Sequence, residues 1–182
     1  MSTGADLATR ADYCVFHRAG RDFAISTHLA KEVIETKSFT PIPSAPPELL
    51  GALNVRGEVV PLVALDSFLG LPERAPTRGD ALLVLGLSDL RFATIVDRVD
   101  TVKHFAPWEI RREEVAGKRR DPLVRGIAGN AEARIEVLDG EGLFAAVVEC
   151  VGEGFRRAAR LESEAAGPAL AGAPDHGVPE ED

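Results

Sequence analysis

Residues 50–65 read LGALNVRGEVVPLVAL, two apolar segments on either side of Asn54-Val55-Arg56-Gly57. The first is short and apolar and the second is rich in Val and Leu, so both are predicted as strands. The intervening NVRG carries turn chemistry, because Asn and Gly tolerate left-handed backbone that other residues avoid. A hairpin results, with Arg56 at or near a strand end and its charged head in water. One guanidinium on a rigid scaffold suits recognition of a partner's carboxylate or carbonyl. The competing reading is an ordinary solvated turn arginine. Pro61 cannot donate a ladder hydrogen bond, which places the second strand at an edge or a bulge.

Working outward, residues 13–18 (YCVFHR) and 21–25 (RDFAI) flank Ala19-Gly20 as a second hairpin. Residues 29–39 (LAKEVIETKSF) fit strand or helix by period, and β-branched Val33, Ile34 and Thr36 favour strand. Pro41, Pro43, Pro46 and Pro47 then stiffen an extended connection into the central hairpin. Downstream, residues 66–70 predict a short helix or turn closed by Gly70, and residues 71–79 a polar connection. Strands follow at 81–85 and 92–96 around the Ser88-Asp89 turn, then Val99 and Val102. Residues 104–122 predict a long charged loop with one helical turn, 123–128 and 134–138 two more strands, and 143–151 a helix or strand. Trp108, after Pro107, is either a lid over the second half or a contact anchor, and the lid is preferred.

The order repeats. Phe23-Ala24 maps onto Phe92-Ala93 at a shift of 69 positions, which brings Val33 onto Val102. Gly51 maps onto Gly126 at a shift of 75, carrying Val63-Ala64 onto Leu138-Asp139 and Phe68-Leu69 onto Leu143-Phe144. An insertion of six residues after His104, where loops grow cheaply, accounts for the change of shift. Two small β units follow, 12–80 and 81–150, neither long enough to bury a generous core alone, so they are expected to share one interface. Residues 151–182 form a C-terminal extension: a weak helix, then a Pro/Ala/Gly/acid-rich stretch predicted as disordered, as are residues 1–11.

The 182 residues, 45% hydrophobic and 27% charged, describe an ordinary globular chain. The net charge of −8 disfavours broad nucleic-acid affinity. Half of it sits in Asp175, Glu180, Glu181 and Asp182, which leaves −4 for the remainder. The basic run at Arg111, Arg112, Lys118, Arg119, Arg120 and Arg125 is interrupted by acids and contains no aromatic, as a solvated loop would be. No segment approaches the length of a membrane span and no apolar leader opens the chain, so a cytoplasmic protein is expected. Cys14 and Cys150 read as buried structural thiols, and His17, His28, His104 and His176 are scattered without metal-ligand spacing. Hydrolase and nucleotide-binding signatures are missing from the sequence. No cofactor or metal is expected, and the residues point to a binding module.

In order, Glu32-Val33-Ile34, Ile42-Pro43, Gly51-Ala52-Leu53-Asn54-Val55-Arg56-Gly57, Val59-Val60-Pro61-Leu62-Val63, Ile95-Val96-Asp97-Arg98-Val99, Val137-Leu138-Asp139 and Leu143-Phe144 resemble the CheW family of chemotaxis coupling proteins over about residues 12–150. The family's NLRG reads NVRG here. The resemblance implies a mainly β fold of two SH3-like five-stranded β-barrel subdomains with short helices. It also implies a non-enzymatic adaptor between a methyl-accepting chemoreceptor and the regulatory domain of a CheA-type histidine kinase, cytoplasmic and recruited to receptor arrays without membrane insertion. Arg56 and Glu32 match contact residues, Gly51 and Gly57 match family glycines, and Val102 matches an apolar groove position, with Val33 and Val99 expected beside it. Two alternatives stand: a CheW-like scaffold for a different signalling partner, and a small-barrel nucleic-acid-binding protein. The chain departs from the family at Ala64, where an Asp is usual, and Asp66 follows two positions late, so the start of the short helix is expected to shift. Its acidic tail also exceeds the usual family length.

Overall fold

The computed structural model describes residues 10–112, 122–130 and 132–165. Residues 1–9 of the expected N-terminal stretch, residues 166–182 of the C-terminal extension, and half of the basic run (Lys118, Arg119 and Arg120) lie outside the described residues. Among the described residues, ten strands carry the fold: β1 (Ala11–Arg18), β2 (Arg21–Ser26), β3 (Ala30–Glu35), β4 (Leu49–Val55), β5 (Glu58–Val63), β6 (Ala81–Leu87), β7 (Leu90–Val96), β8 (Arg98–Phe105), β9 (Val124–Gly129) and β10 (Arg134–Leu138). A one-turn helix, α1 (Leu65–Phe68), follows β5, and a long one, α2 (Gly140–Ala165), follows β10.

The strands form two five-stranded sheets, ordered β8-β1-β2-β10-β9 and β3-β6-β7-β5-β4. The mainly β, two-subdomain fold is as expected, but each subdomain is an open curled sheet, since no ladder joins its two outer strands. The expected division near residue 80 does not coincide with the sheets. β3 through β7 make one, while β1, β2 and β8 through β10 make the other. Under the two sequence shifts, β1 to β5 correspond to β6 to β10. Each sheet is then the same arrangement, with its first hairpin drawn from one repeat and its other three strands from the other. The register agrees in detail. Parallel pairs fall at Leu62↔Ala93 and Val137↔Ala24, and isolated bridges at Thr40↔Ala52 and Arg111↔Ile127.

Period-2 alternation explains why these strands read as almost continuous apolar runs. Tyr13, Val15 and Ala24 point into a small core inside one sheet, while Cys14, Phe16, Phe23 and Ile25 point into the main core. Likewise Leu82 and Val84 fill the other sheet, and Leu83 and Leu85 join the main core. That main core lies between the sheets and takes in Leu143, Phe144 and Val147 of α2, which is the shared interface the short repeats require.

Two local expectations are corrected and a third is narrowed. The strand bearing Pro61 is β5, which lies between β4 and β7 and so takes the bulged alternative rather than the edge one. Counting from the Val55↔Glu58 pair, Pro61 faces Ala52 at a non-hydrogen-bonded position, so its missing N–H costs the β4 ladder nothing. A register shift between Leu49 and Gly51 supplies the irregularity on the partner strand. Trp108 is 61% exposed and is no lid. The 3₁₀ turn Pro107–Glu109 carries it outward, while Phe105 and Ile110 on either side pack on the core of that sheet. Finally, the stretch after Val96 is a full edge strand, β8.

Candidate partner-binding site

Arg56 and Gly57 are the two central residues of the β4–β5 turn, both left-handed, with φ of 53° and 90°. Asn54 supports the turn from outside it: its Oδ1 accepts the Gly57 N–H at 2.9 Å. Left-handed backbone therefore falls on Arg56 instead of Asn54. An Asn-Gly pair is the usual sequence for such a turn, and an arginine there holds a conformation that non-glycine residues rarely take.

The Arg56 side chain is 81% exposed. Its Nε and Nη2 both donate to Glu32 Oε2, at 3.0 Å and 2.9 Å. Glu32 sits on β3, at the opposite end of the sheet order from β4. The two polar residues singled out in the sequence thus form one charged feature across a sheet face. Their bond leaves most of the guanidinium and the Glu32 Oε1 free of each other. An exposed pair of this kind adds at most about 1 kcal/mol to stability, so its value is in presentation.

The apolar candidates divide between the sheets. Val33 is 48% exposed on β3 and Val102 46% exposed on β8. These are the outer strands of their respective sheets and equivalent positions of the repeat. Val99 is partly buried against the main core. Beside it, the His17 ring, with Nε2 3.1 Å from Oδ2, holds the Asp100 carboxyl below the usual carboxylate range. Gly51 does not belong to the surface: it is buried. A Cβ there would stand 2.6 Å from the Thr40 carbonyl oxygen, so glycine lets the 39–40 chain cross beneath the hairpin. Gly126 does the same under Arg111, where a Cβ would stand 2.9 Å from the carbonyl oxygen.

Two features escaped sequence reading. Arg18 and Asp66 form a buried bidentate ion pair, with Nε to Oδ1 at 2.7 Å and a second bond from Nη2 to Oδ2. Asp66 is therefore no displaced helix cap; it ties α1 to the end of β1, and Asp97 completes the arginine's partners at 3.2 Å. The second is an apolar groove of 410 Å³ between the β5–β7 strands and α2, lined among others by Pro61, Leu90, Val148 and Phe155. The shift of 69 carried its signal, because Leu90 stands where the first repeat has Arg21. Among the described residues, no cluster of His, Cys, Asp and Glu is arranged to hold a metal, and no helix is long and apolar enough to cross a membrane.

Comparison with known proteins bears on the same residues. The family model of the CheW-like domain matches residues 12–148. The chemotaxis protein CheW of Bacillus subtilis (strain 168) is 30% identical over 141 residues, covering 77% of this chain and 90% of its own. The CheW of Thermotoga maritima is 27% identical over 128 residues, covering 69% and 84%. The crystal structure of scaffolding protein TtCheW from Thermoanaerobacter tengcongensis superposes with a TM-score of 0.62 at 21% identity, over 76% of this chain and 90% of that one. It shares the fold. With the matched span running from β1 into α2 and taking in both sheets, the chain belongs to the CheW-like domain family.

Proposed function

We propose that this protein is a non-enzymatic chemotaxis coupling adaptor that joins a methyl-accepting chemoreceptor to the regulatory domain of a CheA-type histidine kinase. It works in the cytoplasm and is recruited to receptor arrays at the membrane. The single observation that carries the reading is the Glu32–Arg56 pair. It stands on the NVRG turn of a CheW-like domain, with its guanidinium in solvent at a backbone position where arginine is disfavoured. Val33 and Val102 supply half-exposed apolar surface on the outer strands, where a helical partner buries side chains and meets a charged rim. Val99 supports that surface from the main core, and Gly57 holds the turn that presents Arg56.

Arg56→Glu tests the reading. It reverses the exposed charge and sets two carboxylates together at Glu32. Co-sedimentation with receptor-bearing membranes and the kinase is expected to lose about tenfold in affinity, equivalent to 1.4 kcal/mol, with the melting temperature held within a few degrees. Full recruitment by a folded Arg56→Glu variant would remove Arg56 from the interface.

A further inference from the structure

The two halves of the repeat build the same recess, and only one of them fills it. In the first sheet Arg21 plugs the space. Its guanidinium donates to the Glu136 carboxylate at 2.9 Å and 2.5 Å and lies 5.1 Å from the centroid of the Phe23 ring. In the second sheet Phe92 stands for Phe23, but Arg21 becomes Leu90 and Glu136 becomes Pro61. What is left is the 410 Å³ groove against α2. Leu90, Val148 and Phe155 on its walls remain 48%, 50% and 38% exposed. α2 carries that surface on as a seam. Ala145, Val148, Gly152 and Phe155 recur at spacings of three, four and three, the pattern by which one helix packs along another. Ala145, Val148 and Phe155 are exposed and Gly152 is half-buried. Gly152 is the informative position. Nearby Gly154 is needed within the chain, because a Cβ there would stand 2.2 Å from Pro46 Cβ. Among the described residues, a Cβ on Gly152 would meet nothing closer than the Arg156 side chain of its own helix, at 3.5 Å. Glycine weakens a helix interior, and the close approach of a second helix accounts for one at this place.

We propose that the groove and the seam are occupied by a second copy of this chain, the two copies pairing through antiparallel α2 helices that cross at Gly152. Charge selects both the occupant and the direction. Glu149 and Arg156 lie two turns apart on one flank of the seam, and both are exposed. Antiparallel helices centred on Gly152 set Glu149 of one copy beside Arg156 of the other, and the two-fold axis makes that pair twice. Parallel helices instead bring each charge level with its own like. In the antiparallel register Phe155 of each copy meets Val148 of the other and enters its groove next to Leu90, while the two Gly152 positions abut. The contact is isologous and closes on itself, so it stops at two copies. It uses neither Glu32 nor Arg56.

The test is sedimentation velocity of the full chain from about 1 to about 300 µM, a range that spans the affinity of a modest interface. The unmodified chain is expected to pass from monomer to dimer across the series. Phe155→Asp, Glu149→Arg and Arg156→Glu are each expected to weaken the dimer by about tenfold or more, with melting temperatures at the lowest concentration unchanged. An equimolar mixture of Glu149→Arg and Arg156→Glu is expected to dimerise as the unmodified chain does, because both pairs between the copies are again opposite in charge. Three results overturn the proposal: a monomer at every concentration, which means that the groove takes no second copy; a dimer that Phe155→Asp leaves intact, which places the contact on another face; or charge variants that dimerise alone or stay monomeric when mixed, which removes the antiparallel pairing.

Discussion

Two arginines show how the same guanidinium chemistry serves opposite ends. The Arg18 side chain is 3% exposed and holds Asp66, itself 6% exposed, while Arg56 holds Glu32 in open solvent. Removing Asp66 strands a buried cation with only Asp97 beside it, so Asp66→Ala is expected to destabilise the protein by about 3 kcal/mol. A shift of the urea midpoint at constant slope checks this. Arg56→Asn does the reverse. Asparagine accepts left-handed backbone more readily, so the melting temperature is expected to hold or rise slightly while recruitment to receptor and kinase falls. A variant that is as stable as its parent and less active separates the demands of the fold from those of the partner. The exposure of Arg56 was legible in the sequence because turn residues announce themselves locally. The Arg18–Asp66 pair was not, since its members lie far apart in the chain and Asp66 sits where a cap is usual. The ionic contact between Arg56 and Glu32 was equally hidden, because it depends on how a sheet folds β3 back towards the β4–β5 turn.

At the scale of elements, the Ala64 departure finds its explanation through the repeat. Ala64 and Asp139 are equivalent positions, each leading into a helix. Asp139 Oδ1 accepts the Gly142 N–H at 3.1 Å and its backbone oxygen accepts the Leu143 N–H, so α2 opens with a side-chain cap. Ala64 makes no such bond, and α1 lasts four residues. Packing of Leu65 and Leu69 into the main core holds that short helix in place of a cap. Asp139→Ala is therefore expected to cost about 1 kcal/mol, read from urea unfolding followed by circular dichroism. Strand identity was mostly plain from apolar alternation and turn residues. β8 was the exception. It is an edge strand with Arg98, Asp100, Thr101, Val102 and His104 all exposed, so the alternation that marks a half-buried strand is missing. Trp108 misled for a related reason: a large aromatic suggests burial, whereas the three-residue period of the turn that holds it points it to solvent.

Across the whole molecule, sequence similarity identified which elements correspond but not which copy each one pairs with. The shifts of 69 and 75 equate β2 with β7 and β5 with β10, yet β2 lies beside β10 and β7 beside β5. Exchange of hairpins between the repeats leaves no half of the chain with a sheet of its own. In residues 1–80, β1 and β2 lack β8 and β10, β3 lacks β6, and β5 lacks β7. In residues 81–182, the β6–β7 hairpin loses both neighbours, and β8 and β10 lose theirs. The main core is cut as well, since Phe16, Phe23 and Val63 lie on one side of the division and Leu83, Phe92 and Leu143 on the other. Each fragment alone is thus expected to show no cooperative urea transition. An equimolar mixture is expected to regain the β-sheet circular dichroism and unfold in a single transition, because both sheets and the core between them form only when the halves interleave. A cooperative transition in either isolated half would mean that its strands close a core without exchange, as two separate barrels would.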